Sequence, residues 1–228
     1  MAIDKEHFRQ IVACNVQGRA LSAGYPDLLI HLPKLKPRPD SDKVAAHHGV
    51  KHPIADSVEV FAGLGLTLEV IDRKVIQGCE HVVDLNERPT LDEDYGTPEA
   101  IRLGEFWDYD LVIDPGTSEH CFNIAQALLN LADAVKVGGC IVQALPITMV
   151  NHGYWNVNPV ALVDFYEQNG FQIEDFVIRH PGGIFNPPVE KRHWRMSPVP
   201  DGAVTVLTAR RLEKREFRWP QQRDIANE

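Results

Sequence analysis

The sequence predicts a single α/β domain built on a mainly parallel sheet. Apolar runs with strand character alternate with amphipathic helical segments from about residue 20 to residue 170, a pattern typical of parallel sheets with crossover helices. The chain has 228 residues, 44% of them hydrophobic, which is enough for one domain of this class with a sizeable core. Two strand-like runs then end the pattern without a helix between them, so one of them is expected to run antiparallel.

Seven apolar runs bounded by turn residues are predicted as strands. They are ALSAG (20–24), LTLEVID (66–72), EHVVDL (80–85), YDLVID (109–114), CIVQALP (140–146), FQIEDFVIR (171–179) and AVTVLTARR (203–211). Only seven residues separate the second run from the third. A parallel crossover usually needs about a dozen, so this pair is either a short crossover or a hairpin. A change of phase near Asp175 predicts a bulge in the sixth strand.

Polar residues that favour N-caps mark where three of the helices begin, at Asp56, Asn123 and Asn158. Pro159 then occupies the favoured first helical position of the last of them. The helix from Asn123 is expected to continue to the Gly-Gly pair at 138–139. The G-x-G in AGLGLT follows a helix and precedes a strand, so it is interpreted as a helix end and not as a phosphate loop.

The domain is expected to span residues 1–212. The Pro- and Gly-rich segment 180–202, between the last two strands, is predicted to be an inserted, lid-like loop. Residues 213–228 are predicted to form a charged C-terminal tail. Residues 31–53, rich in Pro, Lys and His, are expected to be a loop or a broken helix.

Composition argues against several classes of partner. A formal net charge of −9 would repel a phosphate backbone, so no nucleic-acid partner is expected. The N-terminus lacks the order of a signal peptide, and no apolar run approaches the roughly 20 residues of a membrane helix. Four scattered cysteines without a CxxC pair indicate reduced thiols in a cytoplasmic protein. Oligomeric state has no signal in the sequence.

The ends of the first four strands carry the candidate binding residues, at Gly24, Asp72, Asp84 and Asp114. In open α/β sheets, ligands bind outside the carboxyl ends of the strands. A carboxylate after the second strand can accept hydrogen bonds from both hydroxyls of a ribose, which favours an adenosine-containing ligand. The structural alternative is that each aspartate caps the turn or helix that follows it.

Two histidines and a tyrosine follow later strands. His120 lies just after the fourth strand in DPGTSEH, and His152 and Tyr154 lie in NHGYW after the fifth. A neutral imidazole in such a cleft can accept a proton from a substrate, and Tyr154 can wall its pocket. The structural alternative is that these side chains only orient their loops.

A metal site is not predicted. Three histidines cluster without metal-ligand spacing, at His47, His48 and His52. Glu119 and His120 are interpreted as the floor of the cleft. The sequence also lacks G-x-S-x-G and G-x-x-x-x-G-K-[ST] motifs, which argues against acyl-enzyme chemistry and NTP hydrolysis.

The stretch WDYDLVIDPGTSEHCFNIAQALLNLADAVKVGGCIVQALP resembles the central part of class I S-adenosylmethionine-dependent methyltransferases. There a (F/Y)DLV strand is followed by EH, a helix, a GG turn and another strand. NHGYWNVNPVALVDFYEQNGF is similar to the segment leading to their last helix. The resemblance covers about residues 18–180 and the final strand. It implies a Rossmann-like domain whose seven-stranded sheet is mainly parallel with an antiparallel last strand.

The resemblance also implies S-adenosylmethionine as cofactor. The residues implied to bind it are Gly24 and Tyr25 at the methionine part, Asp72 at the ribose, Asp84 and Leu85 at the adenine, and Asp114, Gly116 and Thr117 beside the sulfonium. The family's glycine-rich loop, E/D-x-G-x-G-x-G, is reduced here to SAGYPD.

The function predicted from this resemblance is methyl transfer to an oxygen or nitrogen of a small-molecule acceptor. The alternative is a non-catalytic nucleotide-binding or scaffold protein that retains the methyltransferase fold, which the SAGYPD loop favours. A nicotinamide-dinucleotide enzyme is disfavoured because no G-x-G-x-x-G follows the first strand.

Overall fold

The computed structural model describes residues 2–74, 79, 81–88, 108–187 and 199–222. Its strands are β1 (Ala2–Ile3), β2 (Gly18–Ala23), β3 (Asp27–Leu28), β4 (Leu66–Asp72), β5 (His81–Val82), β6 (Tyr109–Asp114), β7 (Val135–Pro146), β8 (Phe171–His180), β9 (Gly183–Phe185) and β10 (Val204–Arg211). Its helices are α1 (Lys5–Ala13), α2 (Ser41–His48), α3 (Ser57–Gly63), α4 (Ile124–Ala134) and α5 (Pro159–Gln168), with a 3₁₀ turn at Ser118–His120.

Eight of the described strands form one sheet in the order β5-β4-β2-β6-β7-β10-β8-β9, and β1 and β3 form a separate parallel pair. The strands β5, β4, β2, β6 and β7 run parallel to one another, and β10 lies antiparallel between β7 and β8. The predicted mainly parallel sheet with an antiparallel last strand is therefore confirmed. The pair β4 and β5 is a short parallel crossover and not a hairpin.

Within the described residues, the sheet has one strand more than the seven predicted. The extra strand, β9, pairs antiparallel with the end of β8 through a two-residue turn at Pro181 and Gly182. The sequence analysis assigned this region to the inserted loop because of its Pro and Gly content. Residues 188–198 of that loop, and residues 223–228 of the predicted tail, lie outside the described residues.

The boundaries of β4 and β6 agree with the prediction, whereas α4 and β7 differ from it. The helix ends at Ala134 and not at the Gly-Gly pair, because Val135 already pairs with Tyr109 in the sheet. The predicted bulge is present, since the β8–β10 register shifts opposite Asp175. Residues 31–53 include a regular helix, α2.

The predicted N-caps all form. The side chain of Asp56 accepts the amide hydrogen bond of Val58 at 2.9 Å, and that of Asn158 accepts from Val160 at 3.0 Å. Asn123 accepts from the Gln126 amide at 3.3 Å. Each cap satisfies an amide that the helix leaves without an intrahelical partner.

Two apolar layers cover the two faces of the sheet. On one face, residues of β2, β6 and β7 pack against α4 and α5, around Leu131 and Tyr166. On the other face, alternate residues of the same strands pack against α1 and α3, around Ile11 and Phe61. This arrangement follows from the alternation of side chains along a strand. In the part of the chain that the structure describes, no helix combines the length and apolarity that crossing a membrane requires.

A buried histidine in α1 makes the stability of the fold sensitive to pH. The His7 imidazole is 4% exposed, and neither ring nitrogen has a hydrogen-bond partner among the described residues. Burial lowers the pKa of His7 to about 4, although the carboxylates of Asp4 and Glu6 oppose the shift and Arg179 adds to it. The folded pKa is thus below the unfolded value, so the unfolded chain binds the extra proton first as pH falls.

We therefore expect the free energy of unfolding to fall by on the order of 3 kcal/mol as the pH is lowered from about 6.5 to 4. Urea unfolding of wild type and His7→Leu at several pH values measures this loss. The free energy of unfolding of the variant should fall less over the same pH range, because it lacks the titrating imidazole. His47→Leu, at an exposed position of α2, should keep the wild-type pH dependence. An unchanged profile in His7→Leu would contradict the assignment.

Candidate functional site

The carboxyl ends of β2, β4 and β6 meet where the strand order reverses direction. The Gly24 amide donates a hydrogen bond to the Ile71 carbonyl at 2.7 Å, which joins the ends of β2 and β4. The Thr117 hydroxyl donates to the Ala23 carbonyl, which joins the turn after β6 to the end of β2. The reversal between β4-β2 and β2-β6 is the topological switch point at which open α/β sheets bind ligands.

Two aspartate carboxylates lie next to this switch point, one at the end of β4 and one after β5. Asp72, at the end of β4, is half-buried, and its Oδ1 accepts the amide hydrogen bond of Lys74 at 3.0 Å. Asp84 is exposed and accepts from the amide and side chain of Asn86 at 2.9 and 2.7 Å, through Oδ1 in both cases. Leu85 is buried beside it. In the described part of the chain the second oxygen of each carboxylate has no partner, so it can accept a ligand hydroxyl.

The loop after β2 has a fixed, compact shape. Gly24 is buried with φ of +79°, a conformation that glycine adopts without strain. The ring of Tyr25 lies under the Arg38 guanidinium at 4.4 Å, and its hydroxyl is 3.4 Å from Asp56 Oδ1. The Tyr25 side chain is therefore held against the helical layer, so a cofactor would meet this residue through its backbone.

Asp114 is fully buried, and its carboxylate fixes the turn after β6. It accepts hydrogen bonds from the Thr117 amide at 2.7 Å, the Ser118 hydroxyl at 2.5 Å and the Gln143 side chain at 2.7 Å. The Tyr166 hydroxyl, also buried, donates to Gln143 at 3.0 Å. The Asp114 carboxylate is therefore positioned to hold the turn that carries Gly116 and Thr117.

The two outer members of this network, Gln143 and Tyr166, were not predicted from the sequence. Gln143 is the only polar residue in the buried run CIVQALP, and that exception is the signal that identifies it. Tyr166 lies among the buried residues of α5, and nothing in the sequence marks its hydroxyl as part of this network. Burial raises the pKa of the Tyr166 hydroxyl well above its ordinary value, with a further contribution from Asp114, which keeps it a hydrogen-bond donor.

The turn after β6 also carries Glu119, which lies beside the two predicted histidines. Glu119 Oε1 is 3.5 Å from His152 Nε2 and 3.9 Å from His120 Nε2, and the two rings lie 5.4 Å apart. Burial, and secondarily the Asp114 carboxylate, raise the pKa of Glu119 to about 8. Burial and the neighbouring His152 lower the pKa of His120.

Two glycines allow this close packing. A Cβ on Gly153 would lie 2.9 Å from the Glu119 backbone oxygen, and a Cβ on Gly116 would lie 2.9 Å from Glu119 Oε1. Gly116 also has φ of +100°, which disfavours other residues. The Tyr154 amide donates to the Glu119 carbonyl at 2.9 Å. The NHGYW segment is thus fixed on the turn after β6, and the structure brings His120 and His152 together as the sequence predicts.

Exposed aromatic side chains border this cluster. The Tyr154 ring is 68% exposed and meets Phe122, 74% exposed, edge to face at 5.7 Å. The Trp155 indole donates to the carbonyl of Cys121 at 3.0 Å, which anchors the segment. An apolar cavity of about 290 Å³ continues from Trp155 towards Trp219 between α4, α5 and the C-terminal segment. Large apolar surfaces beside polar groups are typical of small-molecule sites.

No family model matches the chain, and no curated protein matches it either. Among solved structures, the 1,6-didemethyltoxoflavin-N1-methyltransferase of Burkholderia thailandensis, with bound 1,6-didemethyltoxoflavin and S-adenosylhomocysteine, has a TM-score of 0.50 and 11% identity, over 92% of this chain and 78% of that one. TehB from Haemophilus influenzae has a TM-score of 0.48 and 9% identity, over 92% and 62%. The first likeness shows that this chain has the fold of class I S-adenosylmethionine-dependent methyltransferases.

Proposed function

We propose that this protein transfers a methyl group from S-adenosylmethionine to an oxygen or nitrogen of a small-molecule acceptor. The observation that carries the proposal is the arrangement at the switch point, where Gly24 and the carboxylates of Asp72 and Asp84 lie at three neighbouring strand ends. The toxoflavin methyltransferase, which shares the fold, was crystallised with S-adenosylhomocysteine and a small-molecule acceptor.

The residues present fit the cofactor. Asp72 has an oxygen available for the ribose hydroxyls, and Asp84 with Leu85 offers a polar and an apolar contact for adenine. Gly24 would permit close approach of the backbone to the methionine part, and Gly116 and Thr117, on the turn after β6, would lie beside the sulfonium. When bound, the cofactor supplies an electrophilic methyl group on a positively charged sulfur. An acidic rim favours such a cation.

The chain's own contribution is to position the acceptor and to remove its proton. Alignment of a bound acceptor can lower a barrier by on the order of 7–11 kcal/mol in favourable cases. The exposed rings of Phe122 and Tyr154 would hold an acceptor beside the turn after β6. His120 and His152, both about half exposed, are the groups that would assist the loss of a hydroxyl proton.

Asp72→Asn is expected to weaken binding of S-adenosylhomocysteine by about 10- to 100-fold. An amide can accept only one of the two ribose hydrogen bonds, and a hydrogen bond to a charged group contributes about 1.5–3 kcal/mol. Isothermal titration of wild type and variant measures the change. Asp42→Asn, an exposed carboxylate on α2, is the matched control and should bind as wild type does. No binding to wild type at millimolar cofactor concentration would reject the proposal.

The alternative function, a non-catalytic nucleotide-binding or scaffold protein, is favoured by one observation. The loop after β2 has a single glycine, and its carbonyl accepts the Ser22 hydroxyl at 2.7 Å, which stiffens the loop. This alternative predicts that cofactor binds but that no acceptor is methylated. Release of S-adenosylhomocysteine, measured with a panel of phenols, catechols, sugars and amines, separates the two functions.

A further inference from the structure

Glu119, His120 and His152, here called the EHH cluster, form a group with the composition of a metal site. Their nearest ligand atoms, one from each side chain, all lie within 4.8 Å of one another. Glu119 Oε1 is the common neighbour, at 3.5 Å from His152 Nε2 and 3.9 Å from His120 Nε2. Ligands around a tetrahedral zinc ion are about 3.4 Å apart, from metal–ligand bonds of about 2.1 Å. The cluster is therefore slightly wider than a loaded site.

The Glu119 carboxylate lacks the compensation that a buried carboxylate requires. Its side chain is 1% exposed, and its Oε2 has no hydrogen-bond partner among the described residues. No described lysine or arginine forms an ion pair with the Glu119 carboxylate. Asp114, five residues earlier in the chain, shows the contrast, since its carboxylate accepts hydrogen bonds from four residues, Gly116, Thr117, Ser118 and Gln143. A buried carboxyl group without such partners either holds a proton, in agreement with its raised pKa, or is paired or coordinates a metal.

The surrounding backbone holds the three side chains in this arrangement. Gly116 and Gly153 leave no Cβ in the space around Glu119, where one would lie 2.9 Å from its atoms. Asn151 adopts φ of +60°, so the turn that presents His152 uses a left-handed residue. The imidazoles of His120 and His152 are 49% and 44% exposed, so they can rotate inwards while Glu119 stays fixed.

We propose that the EHH cluster binds one divalent first-row transition-metal ion, with Glu119, His120 and His152 as its protein ligands. Two imidazoles and one carboxylate suit zinc, manganese, iron(II) or cobalt better than magnesium or calcium, which prefer oxygen ligands. Three protein ligands leave at least one coordination position open, as in catalytic sites. Because the two imidazoles are about half exposed, a ligand from solvent could reach that position.

The site narrows the acceptor class, and this step rests on the proposed function. A hydroxyl-bearing acceptor can take the open position, where a cation lowers the pKa of the O–H group as it does that of bound water. The hydroxyl proton leaves to solvent, the oxygen forms a bond to the methyl carbon, and the carbon–sulfur bond breaks with its electron pair on sulfur. The products are a methyl ether and S-adenosylhomocysteine. We therefore infer an O-methyl transfer.

Metal titration of the tag-free full chain, freed of metal by chelation and dialysis, tests the site. Calorimetry with Zn²⁺ or Mn²⁺ alone is expected to show one ion per chain, and Co²⁺ should give the visible absorption of a nitrogen- and oxygen-ligated ion. Glu119→Gln and His152→Ala should weaken the affinity by about 100-fold or more, since loss of an outer-shell partner alone costs roughly 10–100-fold. His47→Ala, on the exposed face of α2, should bind as wild type does.

Equal metal affinity in wild type, Glu119→Gln and His152→Ala, or no stoichiometric binding at all, would overturn the proposal. His152→Ala keeps the test valid if Glu119→Gln does not fold, because His152 is half exposed. S-adenosylhomocysteine binding is measured on the same metal-free samples. Cofactor binding without metal binding rejects the metal site and leaves the proposed function standing. Metal binding without cofactor binding rejects the proposed function and leaves the metal site standing.

Discussion

Replacement of Asp114 by alanine is expected to lower the free energy of unfolding by about 3–5 kcal/mol, because several buried hydrogen-bond donors lose their acceptor. Asp114 is fully buried and accepts hydrogen bonds from Thr117, Ser118 and Gln143. Its loss leaves buried donors without an acceptor, each costing about 1–3 kcal/mol. It also opens a cavity under β6 and β7. The same change should abolish S-adenosylhomocysteine binding, because the turn that carries Gly116 loses its anchor.

Urea unfolding and calorimetric titration of Asp114→Ala measure the two effects separately. Asp201→Ala, at an exposed turn position, is the control and should stay within about 0.5 kcal/mol of wild type. Tyr166→Phe removes only the outer hydrogen bond to Gln143, so it should cost about 1 kcal/mol. A variant at Asp114 with wild-type stability and cofactor affinity would show that the network holds neither the fold nor the turn.

Much of the scaffold is predictable because its signals are local. The apolar runs at 66–72 and 109–114 match β4 and β6, and the caps at Asp56 and Asn158 form as expected. Each depends on neighbours within a few residues. The end of α4 at Ala134 was not predictable in this way, because Val135 is drawn into the sheet by pairing with Tyr109. At that position a contact with a distant strand, and not the local helical pattern, decides where the helix ends.

The sequence predicts the positions of individual residues in the candidate site but not the contacts between them. The strand-end positions of Asp72, Asp84 and Asp114 could be derived from where apolar runs stop. That Asp114 is buried under Gln143 and Tyr166 could not, because those residues lie 29 and 52 positions further along the chain. The burial of Glu119 is set by Gly153, on a segment after another strand. Contacts between distant segments decide which carboxylate stays accessible and which becomes structural.

His152→Ala is expected to lower kcat for a hydroxyl acceptor by roughly 10²- to 10⁴-fold, the usual contribution of a group that handles the acceptor proton. Affinity for S-adenosylhomocysteine should persist, since His152 lies after β7 and the ribose and adenine positions follow β4 and β5. Because the imidazole is about half exposed, its loss should change stability little, and thermal unfolding checks this. Release of S-adenosylhomocysteine with the acceptor panel gives the rates, with His47→Ala as the control. A wild-type kcat in His152→Ala would remove the residue from the reaction.

The same assay on chelated wild type distinguishes the two ways in which His152 can act. A histidine that accepts the proton directly keeps the wild-type rate after metal removal. A histidine that holds a cation loses it, so chelated wild type should fall to the rate of His152→Ala and recover when Zn²⁺ or Mn²⁺ is returned. His152→Ala should not recover, because only Glu119 and His120 remain as ligands. We expect the second pattern, since Glu119 Oε1 lies 3.5 Å from His152 Nε2 and the buried Oε2 has no hydrogen-bond partner among the described residues, an arrangement that suits a metal ligand.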